Sequence, residues 1–503
     1  MRKKLLAKNT FSSLLYQIIT ILCGFIVPKL ILRYYGSEVN GLVNSIAQFL
    51  QVIAFMELGV GAVVQSALYK PLAENELDEI SRIVASAAKF FRRLAMIMGV
   101  YILGLIVIYP FIAKQDFGFL YTAALIASMG ISSFTQYYFG VVDRLLLTAD
   151  QRGYIQYYSQ AATLILNTIA CVILIRLGSS IHFVKLTTSL IFLLRPVLLR
   201  IYVNRRYKIN RSITYTGEPI KQKWNGVAQH IAAVVLDSTD TIVLTLFASM
   251  SAVSVYSVYF LVIHGVKQLF LSMTNGFHAL IGELWAKQEI DTLYSFFEIT
   301  EWLIHTGTVF VFGCTGVLLV PFVRVYISDI TDANYIQPLF SFLLVLAHAC
   351  HCFRLPYNIM ILAGGHYKQT QINYILAAII NIVISVISVK AWGLIGVAVG
   401  TLVAMAYQTV WMAYYDSRNF IKWPMKRFAK RVLVDIIIAA ISTLLCSMIN
   451  ITAETYYRWA FYAVIVACIW AAVVVIVNMV FYRQELSFAI KRLSGRAEKD
   501  VVS

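Results

Sequence analysis

The segment that decides the fold lies near the N-terminus and joins two long apolar runs. It reads Pro28-Lys29-Leu30-Ile31-Leu32-Arg33-Tyr34-Tyr35-Gly36-Ser37-Glu38-Val39-Asn40-Gly41-Leu42. Two membrane helices joined by a short polar turn are expected here, with Lys29 and Arg33 at or inside the membrane boundary. A cation at that depth is costly, so it usually has a partner or a ligand. The alternative is that both side chains extend to the outer lipid headgroups.

Composition assigns the rest of the chain to the membrane as well. Of the 503 residues, 60% are hydrophobic and 13% are charged, and the mean hydropathy is +0.74. A soluble protein of this length would be much less apolar, so a polytopic membrane protein is expected.

The apolar runs predict an all-α fold of fourteen transmembrane helices. The spans lie near 11–32, 41–66, 89–112, 118–142, 154–176, 181–203, 225–248, 252–277, 296–325, 336–362, 369–389, 392–415, 432–451 and 457–482. They predict an N-terminal six-helix lobe (1–203), a basic cytoplasmic connector (204–224), a C-terminal six-helix lobe (225–416), a second basic connector (417–431), helices 13 and 14 (432–482) and a cytoplasmic tail (483–503).

The distribution of basic residues predicts the orientation. With the N-terminus inside, 31 of the 42 lysines and arginines fall on the inner segments and 8 on the outer ones. This excess predicts a plasma-membrane protein with both termini in the cytoplasm. The net charge of +17 is then explained by contact with anionic membrane lipids, and nucleic acid is not an expected partner.

An internal repeat is also predicted. A shift of 214 residues aligns the first six spans with the next six, and it places Asn167 on Asn381 and Ser37 on Ser251. Each half holds an even number of spans, so the two lobes would be related by a pseudo-twofold axis along the membrane normal. Parallel repeats of this kind are typical of transporters that alternate access to a central site.

Five motifs, in this order along the chain, give a more specific resemblance. They are Pro28-Lys29-Leu30-Ile31-Leu32-Arg33 with Gly36 and Gly41-Leu42; Glu57-Leu58-Gly59-Val60-Gly61; Leu147-Thr148-Ala149-Asp150-Gln151-Arg152; Asp237-Ser238-Thr239-Asp240 with Val255-Tyr256-Ser257; and Ala363-Gly364-Gly365-His366-Tyr367-Lys368 with Asn381 and Gly393-Leu394-Ile395-Gly396. Together they resemble bacterial polysaccharide flippases of the O-antigen and capsule type, within the multidrug/oligosaccharidyl-lipid/polysaccharide exporter superfamily. The resemblance covers roughly the first 415 residues.

The resemblance implies a V-shaped bundle of two six-helix lobes around a central cavity, followed by two further helices. It also implies a substrate, undecaprenyl-diphosphate-linked oligosaccharide, that moves from the inner to the outer leaflet for cell-surface polysaccharide biosynthesis. A drug/cation antiporter of the same superfamily and a flippase for peptidoglycan-precursor lipid are the alternatives. A polysaccharide polymerase and glycosyltransferases are the protein partners that such a role suggests.

Ionisable residues inside the spans are the candidate site residues, because lipid rejects unpaired charge. Cations suit the diphosphate, and the candidates are Arg33, Lys29, Arg354 and Lys267. Carboxylates suit a coupling cation, H⁺ or Na⁺, or an ion pair in the cavity, and the candidates are Asp240, Asp237 and Glu57. For every one of these residues, a purely structural ion pair is the alternative.

The sequence gives little support for catalysis. It contains no Gly-x-x-x-x-Gly-Lys-Ser/Thr loop for ATP, and no nucleophile and base at a suitable spacing. His348 and His351 share a helical face, yet no carboxylate is close in sequence, so packing or cavity lining is favoured over a metal site. A protein that is not an enzyme and has no cofactor or metal is expected.

Overall fold

The computed structural model of the protein describes residues 2–51, 55–113, 117–211, 213, 227–420, 424–449 and 454–487. The described residues form sixteen α-helices and one π-helical segment, and no strand occurs among them. The helices are α1 (Arg2–Gln51), α2 (Phe55–Glu74), α3 (Leu77–Ile112), α4 (Phe119–Thr135), α5 (Val141–Ala149), α6 (Gly153–Arg176), α7 (Ile181–Arg206), α8 (Val227–Phe247), α9 (Met250–Ala286), α10 (Ile290–Tyr326), α11 (Pro338–Phe353), α12 (Leu355–Ala363), α13 (Tyr367–Trp392), α14 (Leu394–Asn419), α15 (Met425–Ser447) and α16 (Tyr456–Phe481). The all-helical class is confirmed.

Ten helices in the described part of the chain are long and apolar enough to cross a membrane. Four predicted spans, the second, fourth, seventh and thirteenth, are not among these ten. The second span begins within α1 as a continuation of the first and includes the start of α2, and the fourth is divided into α4, the π segment and α5. The seventh span lies in α8, in which residues 238–247 form a shorter apolar stretch. The thirteenth span, α15, begins with a dense group of lysines and arginines.

The polar turn predicted between the first two spans is not a loop. The chain stays helical from Arg2 to Gln51 and departs from helical geometry at Gly36, where φ is 85° and ψ is 173°. This region of backbone space is open to glycine and strained for other residues. A single glycine therefore replaces the expected turn and redirects the helix axis.

The fourth predicted span contains a π-helical segment, Gln136–Gly140, between α4 and α5. One turn of π-helix inserts a residue into the α-helical repeat and shifts the register of the side chains after it. The C-terminal half, α5, ends at the turn motif that was singled out in the sequence. Asp150 accepts hydrogen bonds there from Arg152 Nε, at 2.7 Å, and from the Tyr207 hydroxyl.

Two features show that this turn is a folded structural element. The Asn9 side chain of α1 caps it by donating to the Gln151 carbonyl and accepting from the Tyr154 N–H, both at 2.8 Å. Burial and the Asp150 carboxylate together raise the pKa of Tyr207. The Tyr207 hydroxyl therefore stays protonated and keeps donating to Asp150.

The chain divides into two compact units, Met1–Ser257 and Val258–Ser503. Unit 1 thus includes α8 and the first turns of α9 as well as α1 to α7. The predicted lobe and connector boundaries stay a prediction. Residues 214–224 of the first connector and 488–503 of the tail lie outside the described residues.

In unit 1, the C-terminal half of α1 packs closely against the loop between α8 and α9 and the helices that flank it. A Cβ at Gly41 would lie 1.8 Å from the Met250 carbonyl oxygen, so only glycine fits. Asn40 Nδ2 donates to Ser254 Oγ at 2.8 Å, and Ser45 Oγ lies 2.6 Å from Thr245 Oγ1. Small residues and interhelical hydrogen bonds are the usual means of holding membrane helices this close.

In unit 2, α10 is the helix around which the others pack. It contacts α11, α12, α15 and α16, while α13 and α14 form a tight pair against α11 and α12. The Trp302 indole N–H of α10 donates to Asn478 Oδ1 of α16 at 2.7 Å, and Trp470 is fully buried. The two C-terminal helices are therefore an integral part of this unit.

Candidate functional site

The break between α11 and α12 positions Arg354, one of the predicted diphosphate-binding residues. Arg354 is the residue at the break, and Pro356 follows it. Proline has no N–H for the carbonyl four residues earlier and clashes with that turn, so it disturbs a helix at this point. The backbone stays continuous, since the Asn358 N–H donates to the Arg354 carbonyl at 2.9 Å. The guanidinium is thereby held in the middle of an apolar helix pair.

Arg354 is one member of a buried basic cluster, which consists of Lys267, His348, His351 and Arg354. Lys267 is 2% exposed and Arg354 is 6% exposed. Arg354 Nη2 lies 2.9 Å from His351 Nδ1, and Nη1 lies 4.0 Å from the Met405 sulfur. Lys267 belongs to α9, and the Phe260 ring of the same helix packs against His348 of α11. Two predicted site residues, Lys267 and Arg354, are thus buried in the same unit.

An aromatic side chain borders this basic cluster. The Phe260 ring lies 5.7 Å from the His348 ring and 5.3 Å from the His264 ring. Lysine and arginine side chains buried in a low-dielectric region create a positive potential. Such a potential favours an anionic ligand, and arginine supplies the planar fork that matches phosphate oxygens.

The other predicted cations lie in unit 1, on α1. Lys29 is half-buried and Arg33 is exposed, and both lie on the N-terminal side of the Gly36 bend. Arg33 therefore occupies the lipid- or water-facing surface of its helix in this structure.

Of the three predicted carboxylates, the structure describes the side chain of Asp240. Asp240 is buried in unit 1 and accepts a hydrogen bond from the Tyr256 hydroxyl at 3.0 Å. Asp237 and Glu57 lie on α8 and α2, but their side chains are outside the described part of the structure. A role for any of the three in ion coupling stays a prediction.

Sequence reasoning missed a second polar group in unit 2, the buried ion-pair cluster formed by Glu301, Tyr357 and Arg431. Arg431 Nε donates to Glu301 Oε2, and the Tyr357 hydroxyl donates to Glu301 Oε1 at 2.5 Å. Asp416 is fully buried nearby. The available signal was Glu301 and His305 on one face of an apolar span. His305 Nδ1 lies 2.7 Å from Asp435 Oδ2 of α15.

No family model and no curated protein matches this chain. Its fold does match solved structures. The lipid II flippase MurJ, in an inward closed conformation, superposes with a TM-score of 0.71 over 95% of this chain and 99% of that chain, at 14% identity. An inward-facing multidrug resistance MATE family transporter of the MOP superfamily gives a TM-score of 0.65 over 79% and 94%, at 15% identity.

A third similar structure is the MATE transporter VcmN of Vibrio cholerae in its bent form, with a TM-score of 0.58 over 84% of this chain and 98% of that chain, at 12% identity. At these identities the likeness establishes the fold and leaves the substrate open. The chain has the fold of multi-pass membrane transporters and flippases.

Proposed function

We propose that the protein is a transporter of the MOP superfamily that moves a lipid-linked oligosaccharide with a diphosphate headgroup from the inner to the outer leaflet. The observation that carries the proposal is the buried basic cluster of unit 2. Lys267 and Arg354 are both almost fully buried, and Arg354 Nη2 lies 2.9 Å from the His351 ring nitrogen. A diphosphate carries several negative charges, and a cluster of fixed cations offsets their loss of hydration inside the membrane.

The proposed mechanism is alternating access with a graded series of cations. Arg354 and Lys267 bind the diphosphate in the inward-open state, and Lys29 and Arg33 receive it in the outward-open state. Binding to the two states must be similar, because a ligand held much more tightly by one state would stop turnover. Asp240 either binds the coupling cation or neutralises a cavity cation, and its buried contact with Tyr256 is compatible with both.

Two other functions have specific support. A flippase for peptidoglycan-precursor lipid is supported by the similarity to MurJ, which extends over almost the whole of both chains. It would use the same cations for the same diphosphate and differ in the sugar. A drug/cation antiporter is supported by the similarity to MATE transporters. The buried basic cluster opposes it, because cationic drugs would be repelled there.

The test uses a strain in which the gene is deleted, complemented by the native protein or by variants. Arg354→Ala should abolish export and cause the lipid-linked oligosaccharide to accumulate, while the amount of protein in the membrane stays nearly normal. Mass spectrometry of the extracted lipid identifies the accumulated sugar. A peptidoglycan precursor in its place would favour the second function.

Gln408→Leu is a suitable control, since Gln408 is another buried polar residue of the same unit and carries no charge. It should leave export unchanged. Normal export by Arg354→Ala and by Lys267→Ala would refute the proposed diphosphate site. Loss of the Arg354→Ala protein from the membrane would instead assign the arginine a structural role.

A further inference from the structure

A second cationic site lies in unit 1, separate from the residues discussed so far. It is a cavity of about 640 Å³ between α3, the π segment, α5, α7 and the chain just after α7. Five cationic side chains line it, namely Lys89, Arg92, Arg93, Arg200 and Arg211. A neighbouring cavity of about 540 Å³ shares Arg200 and Arg211 and adds Lys208.

Asp143 of α5 forms ion pairs with two of these arginines. Its side chain is 1% exposed, and it lies 2.7 Å from Arg211 Nη2 and 3.4 Å from Arg200 Nη1. Burying a carboxylate is costly unless cations pair with it, and here two arginines do so. Among the described residues that line the cavity or pair with its lining, five cations thus stand against one carboxylate, which pairs with two of them, and a positive excess remains.

The edge of the cavity is apolar and exposed. Met96 and Phe139 line it and are 61% and 48% exposed. The same side of α3 continues with Val100 and Leu103, which are also exposed. Exposed apolar residues along a membrane helix face lipid chains. The cations therefore lie where the lipid-facing surface of α3 begins, which is the depth of the headgroups.

We propose that this cavity binds the phosphate of an anionic phospholipid, with the acyl chains running along the exposed surface of α3. Under the predicted orientation this lipid belongs to the inner leaflet. Arginine forks match phosphate oxygens bidentately. Basic pockets between membrane helices are a recurrent way of binding such headgroups. A soluble phosphate would use the same cations but would gain nothing from Met96 and Phe139.

The experiment uses the full chain, purified and delipidated in detergent. It is titrated with phosphatidylglycerol, with phosphatidylcholine and with inorganic pyrophosphate, and binding is followed by native mass spectrometry. The test variant is Arg92→Gln/Arg93→Gln. The matched control is Arg205→Gln/Arg206→Gln, which removes the same charge from exposed positions that do not line the cavity.

We expect the native chain to prefer phosphatidylglycerol over phosphatidylcholine. The test variant should bind phosphatidylglycerol about 30-fold more weakly, given the contribution of each basic residue near an anionic lipid, and the control should change by less than about twofold. Arg92→Lys/Arg93→Lys, which keeps the charge, should retain most of the binding. If the glutamine variant fails to fold, the lysine variant is compared with Lys89→Gln, which removes one charge.

Three results would overturn the proposal. The first is unchanged phosphatidylglycerol binding by the glutamine variant, or by Lys89→Gln if the glutamine variant does not fold. The second is an equal loss in the Arg205→Gln/Arg206→Gln control, which would indicate a diffuse surface charge. The third is pyrophosphate binding at the same cations without a preference for phosphatidylglycerol, which would assign the cavity to a soluble phosphate.

Discussion

Two buried arginines of unit 2, Arg354 and Arg431, have similar burial and different neighbours. They are 6% and 4% exposed. Arg431 donates to the Glu301 carboxylate and, through Nη2, to the Glu298 carbonyl at 3.2 Å. Arg354 contacts the His351 ring nitrogen and the Met405 sulfur.

Burial of a charged side chain therefore does not by itself indicate its role. In the ion-pair cluster, an opposite charge and a hydroxyl surround the carboxylate of Glu301, and the three side chains join α10, α12 and α15. In the basic cluster, two cationic side chains, Lys267 and Arg354, are buried with two histidines. We expect the first arrangement to stabilise packing, and under the proposed function the second binds the substrate.

The largest effect is expected for the ion-pair cluster. Arg431→Ala leaves the Glu301 carboxylate buried without its cation, and loss of one partner of a buried pair lowers stability by about 3–5 kcal/mol. Thermal unfolding in detergent and the amount of protein in the membrane measure this loss. The double variant Glu301→Leu/Arg431→Met should recover most of it. Native stability in Arg431→Ala would show that the pair does not hold α15.

A smaller loss is expected for Tyr357→Phe, which removes the hydroxyl that donates to Glu301. A hydrogen bond to a charged group contributes about 1.5–3 kcal/mol. The matched control is Tyr374→Phe, which removes a 2.6 Å hydrogen bond to the neutral Asn358 side chain and should lower stability by about 1 kcal/mol. Equal losses for the two variants, measured by thermal unfolding, would mean that the Glu301 charge adds nothing.

Arginine-to-lysine variants should distinguish the basic cluster from the ion-pair cluster, because one loses transport and the other loses stability. Arg354→Lys keeps the charge and loses the planar fork, so transport should fall about tenfold while stability stays close to the native value. Arg431→Lys should do the reverse and lower stability with little effect on transport per folded molecule. Export assays normalised to membrane abundance measure both. The comparison fails if both variants lose stability to the same extent.

The smallest effect is expected at an exposed ion pair. Lys287 Nζ lies 2.5 Å from Glu283 Oε1, four residues earlier on the C-terminal part of α9. Solvent screens such a pair and its side chains are mobile, so Lys287→Ala should leave the melting temperature and transport unchanged. A clear loss in either measurement would show that surface charge contributes more to this protein than its buried clusters suggest.

The positions of several helices could be predicted closely from the sequence, and others could not. The predicted spans 154–176 and 457–482 match α6 and α16 within one residue at each end. In contrast, α3 begins at Leu77 rather than near residue 89. Its first turns carry Asp78, Glu79 and Arg82. These charged residues lie outside the apolar run but inside the helix. Helical hydrogen bonding continues into water, so hydropathy marks the membrane and not the helix.

The candidate site was predicted in part for a similar reason. A lysine or arginine inside an apolar run is visible in the sequence, so Lys267 and Arg354 could be selected before their proximity was known. The pairing of Glu301 with Arg431 could not be predicted, because it joins helices 130 residues apart and depends on how α15 packs. The convergence of five cations on one cavity beside Asp143 could not be predicted either, because it is a property of the fold.

The bend at Gly36 has a mechanical consequence. Two torsion angles set the direction of the N-terminal half of α1, so this half behaves as a lever with its pivot at Gly36. At 1.5 Å per residue, Arg33 lies about 5 Å and Lys29 about 10 Å from the pivot. A swing of about 20° would displace Lys29 by about 4 Å and Arg33 by less than about 2 Å. A rotation at Gly36 would thus move Lys29 and leave the backbone at Arg33 nearly in place.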